Sequence, residues 1–150
     1  MKFRSGYLTS REAIIWDLRR QNHSQSEIGK KLGISRQAVN KAFQIIDGKV
    51  EQAFMETAET INLDIKTINL VEGVMSAHSP AYDIPVVVSL SKANGLKLWY
   101  LYEGNCEKCH LVSTCHRILK EEAKERGIFL YPADQILTPT KLALRIFGRY

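Results

Sequence analysis

Residues 25–43 read QSEIGKKLGISRQAVNKAF. Ser24 directly precedes this stretch, and Glu27 follows Ser24 by three positions, a spacing typical of the residues that cap the start of a short helix. Gly33 readily adopts the positive φ that ends such a helix in a tight turn, and Ser35 is suited to cap a following helix. The stretch therefore predicts two helices joined by a tight turn.

The two predicted helices have distinct inner and outer faces. Ile28 and Leu32 lie four residues apart and share one face of the first helix, with Gly29 between them where the second helix must cross closely. Ile34 is expected to fill the turn. Three side chains of the second helix are expected to face the first: Val39, Ala42 and Phe43. Five polar side chains of the second helix are left facing outward: Arg36, Gln37, Asn40, Lys41 and Gln44.

The outward set has the chemistry that reads DNA. Arginine forms hydrogen bonds with guanine, and glutamine or asparagine with adenine, in the major groove. The outward face carries no acidic residue before Asp47. We therefore predict a DNA-binding helix-turn-helix, in which Lys30, Lys31 and Ser35 contact phosphates. The alternative interpretation is an ordinary helical hairpin within a globular core.

The distribution of charge favours the same partner. The 150-residue chain has a formal net charge of +5. Residues 1–50 hold ten Lys and Arg against four Asp and Glu, residues 51–80 hold one against five, and residues 81–150 hold ten against seven. The basic excess thus coincides with the predicted helix-turn-helix, as phosphate neutralisation would require, although small basic domains are also common.

Residues 1–48 are predicted to form a three-helix DNA-binding domain. Thr9 and Glu12 form a further capping pair, which opens a support helix running to about Gln21. The lead-in residues available to pack on this helix are Phe3, Tyr7 and Leu8. The buried stripe of the support helix is expected to consist of Ala13, Ile14 and Leu18, flanked by Trp16.

Residues 49–79 are predicted to form a long helix that pairs two subunits. Apolar residues recur there at spacings of three, four or their sum, over nearly four heptads. The residues of this seam are Val50, Phe54, Ile61, Ile68, Val71 and Met75. A homodimer is expected because a lone helix-turn-helix reads few base pairs. The alternative, an amphipathic helix packed on its own domain, has the same periodicity.

Residues 80–150 are predicted to form a small α+β domain, which makes the whole chain α+β in class. A β-hairpin is expected over 86–102, turning at Asn94-Gly95, with a helix through 86–93 as the alternative. A charged helix over 118–126 is expected to expose Glu121, Glu122 and Glu125. A short strand at 128–131 and a last helix opened by Thr138 complete the domain.

Three cysteines within ten residues form the second candidate site. Cys106, Cys109 and Cys115 follow the spacing C-x2-C-x5-C, in which the first pair can grip one metal ion in a turn and the third supplies another ligand. His110 or His116 would complete a zinc site. Each histidine directly follows a cysteine, however, and neighbouring side chains point apart. Haem attachment also matches Cys106–His110 formally, but it belongs outside the cytoplasm. Free or oxidisable thiols without metal are the remaining alternative.

Two resemblances accompany these motifs. The part from Leu8-Thr-Ser-Arg-Glu-Ala to Ala58, including QSEIGKKLGISR, resembles archaeal Tfx-type transcription regulators and the region-4 helix-turn-helix of sigma factors. This likeness implies a transcription-regulator fold and a DNA partner. The cysteine spacing is similar to the last three cysteines of the iron–sulfur loop in endonuclease III-type DNA glycosylases. That family uses four cysteines, so a cluster here would need a non-cysteine fourth ligand or an open iron.

The sequence therefore predicts a homodimeric, sequence-specific transcription regulator, with zinc as the first cofactor and an iron–sulfur cluster as the alternative. No enzymatic activity is expected, because no paired metal-binding carboxylates, nucleophile elbow or phosphate-binding glycine loop occurs. A DNA-processing or redox enzyme is the alternative, and a small-ligand sensor lined by Trp99, Tyr100 and Tyr102 is a third. A cytoplasmic protein without membrane contact is expected, since Lys2 and Arg4 precede no apolar segment.

Overall fold

The computed structural model of the chain describes residues 8–150, so the packing expected for Phe3 and Tyr7 lies outside the described residues. The helices are α1 Ser10–Arg20, α2 Gln25–Leu32, α3 Arg36–Thr60, α4 Val112–Glu125, α5 Pro132–Gln135 and α6 Pro139–Phe147. The strands are β1 Asp64–Asn69, β2 Val74–Ser79, β3 Ile84–Ser91 and β4 Gly95–Tyr100, and a 3-10 turn Cys106–Lys108 precedes α4. The α+β class predicted from the sequence is confirmed.

The starts of the first three helices follow the predicted capping. The side-chain oxygens of Thr9, Ser24 and Ser35 each accept a hydrogen bond from the backbone N–H three residues later, at 3.1–3.2 Å. The carboxylate of Glu12 also accepts from the backbone of Thr9 at 2.9 Å, which completes a reciprocal cap. These local bonds satisfy backbone donors that a helix leaves free at its start.

The four strands form an antiparallel sheet in the order β1-β2-β3-β4. The predicted hairpin is confirmed as β3 and β4, in which Ser91 pairs with Gly95 and Val86 with Tyr100. A helix over 86–93 is therefore excluded. The predicted boundary at 79/80 falls between β2 and β3, which pair along their whole length. The C-terminal part predicted as a separate domain thus shares its sheet with the residues before it.

The sheet is the middle layer between two groups of helices. Because successive side chains of a strand point to opposite faces, Val86 and Val88 join the core beneath α1–α3, whereas Val87 joins the core with α4 and α6. Trp99 on β4 stacks near Phe147 of α6, with ring centroids 6.4 Å apart. Both faces of the sheet are consequently covered.

Trp16 attaches the first helical layer to the sheet. Its side chain is fully buried, and its indole N–H donates to the carbonyl of Leu70 at 3.2 Å. A Cβ atom at Gly73 would lie only 2.5 Å from the Trp16 ring, so this contact requires glycine. Arg20 stacks over Trp16 and donates to Glu125 of α4 at 2.6 Å. One helix of the first layer therefore contacts both other layers.

The predicted long helix over 49–79 is wrong. The helix α3 ends at Thr60, Asn62 adopts a left-handed conformation with φ of 53°, and β1 and β2 follow. Val50 and Phe54 are each 0% exposed and lie in the chain's own core, as does Met75 on β2. The buried residues of the predicted dimerisation seam thus pack within one chain. The alternative interpretation, a helix packed on its own domain, holds only as far as Thr60, because Ile68 and Met75 lie on strands.

Several smaller predictions are also corrected. Ile14 is 42% exposed, and Ile15 takes the expected place in the buried stripe of α1. Residues 128–131 form no strand. The helix α4 begins at Val112, six residues earlier than predicted. Glu122, expected at the surface, is 0% exposed. No helix within residues 8–150 is long and apolar enough to cross a membrane.

Glu122 is buried with its carboxylate paired to one distant and one nearby partner. It accepts hydrogen bonds from the Ser89 hydroxyl at 2.9 Å and from Arg126 Nε at 3.1 Å. Arg126 also has no exposed side-chain surface, and it donates to the backbone carbonyls of Glu72 and Leu90. Burial nevertheless raises the pKa of Glu122, and Arg126 offsets that effect only in part.

The raised pKa of Glu122 predicts a pH-dependent effect of Glu122→Gln. A raised pKa means that the folded state retains a proton that the unfolded state releases, so this group's contribution to stability falls as pH rises above about 4.3. Glu122→Gln has no titrating group at this position, so its stability does not show that decrease with rising pH. The stability of the wild type relative to Glu122→Gln should therefore be greater near pH 4 than near pH 7, as measured by urea unfolding across this range.

Glu121→Gln is the matched control on the same helix. Hydrogen bonds from Asn94 and Arg117 lower the pKa of Glu121, so its contribution to stability is present above the unfolded pKa and is lost as pH falls. The two variants should therefore show opposite pH trends relative to the wild type. Parallel trends would contradict the account of Glu122.

Candidate functional site

The turn between α2 and α3 brings the two helices into close contact. Gly33 adopts φ of 67°, and the backbone N–H of Ile34 donates to the carbonyl of Gly29 at 3.0 Å. A Cβ atom at Gly29 would lie 2.7 Å from the Ile34 carbonyl oxygen, closer than real Cβ contacts. The small residue predicted at this crossing is therefore required by the backbone geometry.

A buried stripe fixes the rotation of α3 about its own axis. Val39 is 0% exposed, Ile46 is 1% exposed, and both pack in one core with the fully buried Ile28 of α2. Ala42 and Phe43 are partly buried against the same core. Since these residues recur at helical spacing, the opposite side of the first turns of α3 must face away from the protein.

All eight residues predicted to contact DNA are exposed. They are Lys30, Lys31, Ser35, Arg36, Gln37, Asn40, Lys41 and Gln44. Ser35 Oγ caps α3, and Asn40 Oδ1 accepts from Gln25 Nε2 at 3.0 Å. The side chains of the other six make no hydrogen bond or ion pair with any residue in 8–150. Their polar groups are consequently available to an external partner.

Gln25 was not among the predicted contact residues. It borders an open polar crevice of about 460 Å³ together with Arg36, Gln37 and Asn40. The four side chains bring amide and guanidinium groups from α2 and from the start of α3 to one place. The helical spacing of Arg36, Gln37 and Asn40 was visible in the sequence, but the approach of Gln25 depends on the crossing of two helices.

Two acidic side chains lie near this surface, and each of them interacts with a neighbouring residue on the first layer. Asp47 pairs with Arg19 at 2.8 Å, and Arg19 in turn lies over the Phe43 ring, 4.5 Å from its centroid. Glu27 is exposed on α2 and lies 3.2 Å from a ring nitrogen of His23. From Arg36 to Gln44 the exposed side chains include cations and amides and no carboxylate. The start of α3 thus presents positive charge and amides to solvent.

The three cysteines line one cavity. Cys106, Cys109 and Cys115 border a space of about 380 Å³ between β4 and the starts of α4 and α6. Aromatic and apolar residues form much of the remaining wall, among them Leu98, Trp99, Tyr100, Tyr102 and Ala143. The three cysteines predicted for a metal site and the three aromatic residues predicted for a ligand pocket therefore border the same cavity, which the sequence did not indicate, whereas His110 and His116 do not line it.

The cysteines do not converge on one point. Among residues 8–150, no group of three or more cysteine, histidine or acidic side chains is arranged to hold a single metal ion. His110 is exposed, and a ring nitrogen of His116 lies 2.8 Å from the carbonyl oxygen of Leu137, within hydrogen-bond distance. Cys109 Sγ accepts a hydrogen bond from the backbone N–H of Leu111 at 3.4 Å. A zinc site completed by either histidine stays a prediction.

Burial raises the pKa of the Cys115 thiol, and the neighbouring Cys109 and Cys106 raise it further. Lys97 acts in the opposite direction, because its positive charge favours the thiolate. The mutual influence of the three sulfur atoms agrees with their position around one cavity. Without a bound cation, Cys115 is consequently held in its neutral form at neutral pH.

Comparison with protein-family models, with curated proteins and with solved structures yields no match to this chain. The likeness to Tfx-type regulators and to sigma region 4 stays a prediction from the residues that carry it.

The close crossing predicts that Gly29→Ala destabilises the protein by about 1–3 kcal/mol, because the added methyl group must displace the Ile34 carbonyl. Gly48→Ala is the matched control. Gly48 also lies inside a helix, but a Cβ atom there would meet nothing within 4 Å. Helix propensity alone should make Gly48→Ala stabilising by about 0.5–1 kcal/mol. Thermal and urea unfolding would test whether the two variants change the free energy of unfolding in opposite directions. Equal changes at the two sites would contradict the close crossing.

Proposed function

We propose that this protein is a sequence-specific, double-stranded-DNA-binding transcription regulator, with α2, the Gly33 turn and α3 acting as a helix-turn-helix. The observation that carries the proposal is the exposure of the polar side chains at the start of α3, opposite its buried stripe. Arg36, Gln37 and Lys41 make no side-chain hydrogen bond or ion pair with any residue in 8–150, whereas Asn40 accepts a hydrogen bond from Gln25. A helix presented in this way can enter the major groove with its N-terminal residues toward base edges.

Each side chain has a proposed role. Arg36 would donate two hydrogen bonds to guanine, and Gln37 and Asn40 would pair with adenine edges. Lys41 and Gln44 lie further along α3 and extend the same contact. Lys30, Lys31 and Ser35 would hold phosphates, which positions the helix without reading sequence.

Charge supports a nucleic-acid partner over a neutral one. Residues 1–50 carry a net charge of +6, whereas residues 51–80, which complete the first layer and begin the sheet, carry −4. The positive field therefore belongs to the part of the chain that holds α2 and the start of α3. Such an asymmetry increases the rate of association with DNA and orients the protein on the duplex.

A homodimer remains part of the proposal, because paired helix-turn-helix units read two half-sites. Its interface must lie elsewhere than the stripe predicted on 49–79, since Val50 and Phe54 are enclosed by their own chain. Two copies bound to a palindromic site would place their α3 helices in successive major grooves, about 34 Å apart.

The test is selection of bound duplexes from a genomic library, followed by affinity measurements on the strongest site. Arg36→Ala and Asn40→Ala should each weaken specific binding by about 5- to 160-fold, which corresponds to about 1–3 kcal/mol for one lost base contact. Both side chains are exposed, so the variants should fold as the wild type does. Undiminished specific binding by both variants would contradict the proposal.

Lysine variants separate phosphate contacts from base contacts. Lys31→Ala should weaken binding to specific and random duplexes alike and lower the slope of log affinity against log salt by about one. Lys120→Ala removes the same charge from the exposed side of α4, where no described residue pairs with it, and should leave that slope unchanged. An equal change in both variants would indicate nonspecific attraction only.

A further inference from the structure

The cavity that Cys106, Cys109 and Cys115 share is not used by the proposed DNA contact. All three cysteines of the chain border it, although they come from a 3-10 turn, from the segment after that turn and from the first turn of α4. Thiolates collected in this way select thiophilic metals, because soft sulfur ligands favour zinc, copper(I) and iron–sulfur clusters. The positions of the sulfur atoms distinguish between a single metal ion and a cluster.

A single zinc ion fits the arrangement poorly. Four zinc–sulfur or zinc–nitrogen bonds of about 2.0–2.3 Å would require the donor atoms to converge tightly around one point. The described residues contain no such convergent group, and the nearest histidines are either exposed or placed at a backbone carbonyl. The sulfur atoms instead border a space of about 380 Å³.

A polynuclear cluster does not require the three sulfur atoms to converge on one metal ion. In a four-iron iron–sulfur cluster each cysteine binds a different iron atom, so the thiolates surround the cluster instead of meeting at one ion. We propose that Cys106, Cys109 and Cys115 bind a four-iron iron–sulfur cluster in this cavity, with the fourth iron open or held by a non-cysteine ligand. The proposal is independent of DNA binding.

The walls of the cavity suit such a cluster. Trp99 and Leu98 from β4 and Ala143 from α6 supply apolar surface beside the three cysteines. The backbone N–H of Leu111 already donates to Cys109 Sγ, and hydrogen bonds of this kind to ligating sulfur tune the reduction potential of a cluster. Cys115 lies in the first turn of α4, which fixes its position at the border of the cavity.

The experiment is anaerobic reconstitution of the full chain with ferrous iron and sulfide, and separately with zinc. We expect the chain to retain about four irons and four sulfides after desalting, with visible charge-transfer absorption and an electron paramagnetic resonance signal in one oxidation state. Cys106→Ser, Cys109→Ser and Cys115→Ser should each lower retained iron about tenfold or more. Ser113→Ala, on the exposed side of α4, is the control and should retain the cluster.

Thermal unfolding of the metal-free variants would show whether serine disturbs the fold, and only variants that melt as the wild type does are compared. Absence of retained iron in the wild type would overturn the proposal, as would equal retention in the cysteine variants. Retention of one zinc ion by the same three cysteines, without iron or sulfide, would replace the cluster with a mononuclear site. DNA affinity plays no part in these readouts, so this test and the regulator proposal can fail separately.

Discussion

The buried stripe of α3 is the constraint on which the rest of this structure depends. Val39 and Ile46 bind the start of the helix to α2, and Val50 and Phe54 bind its second half to the sheet. A helix held along one face for this length cannot rotate without exposing a large apolar surface, which costs about 25 cal/mol per Å². The direction in which Arg36 and Asn40 point is therefore set by packing on the opposite face of the same helix.

The sheet packs against α1–α3 on one face and against α4 and α6 on the other, so it joins the N-terminal and C-terminal helices. Trp16 and Arg20 join α1 to the sheet and to Glu125, while α4 runs from Glu125 back to Cys115 at the cysteine cavity. Arg20 is buried with Nε and Nη1 lacking a hydrogen-bond partner within residues 8–150, so its ion pair with Glu125 is formed at the cost of two unsatisfied donors. The helical layer and the cysteine cavity are thus parts of one packed body.

Local signals were predicted well from the sequence, and long-range ones were not. The caps at Thr9 and Ser35 depend on residues three positions apart, so they were visible in the sequence, and the β3–β4 hairpin was visible through Asn94-Gly95. The helix expected over 49–79 was wrong because helix-like apolar spacing continues through Ile68 and Met75, which lie in the strands β1 and β2.

Glu122 was misplaced for a related reason. A glutamate on a charged helix is ordinarily exposed, and its burial depends on Ser89, 33 residues away, and on the conformation of Arg126. The five side chains of α3 expected to face outward, from Arg36 to Gln44, are exposed as predicted, because helical periodicity determines their orientation. The approach of the cysteines to β4 was not visible in the sequence, because it depends on how α4 and α6 pack against the sheet.

The most direct measurement of the central claim is site-specific photo-cross-linking to a bound duplex. A photoreactive amino acid would replace Gln37 at the start of α3 or, as the comparison, Lys120 on the exposed side of α4. The account predicts strong cross-linking of DNA from position 37, confined to a few base pairs, and none from position 120. Cross-linking from position 120 alone, with the duplex demonstrably bound, would contradict it.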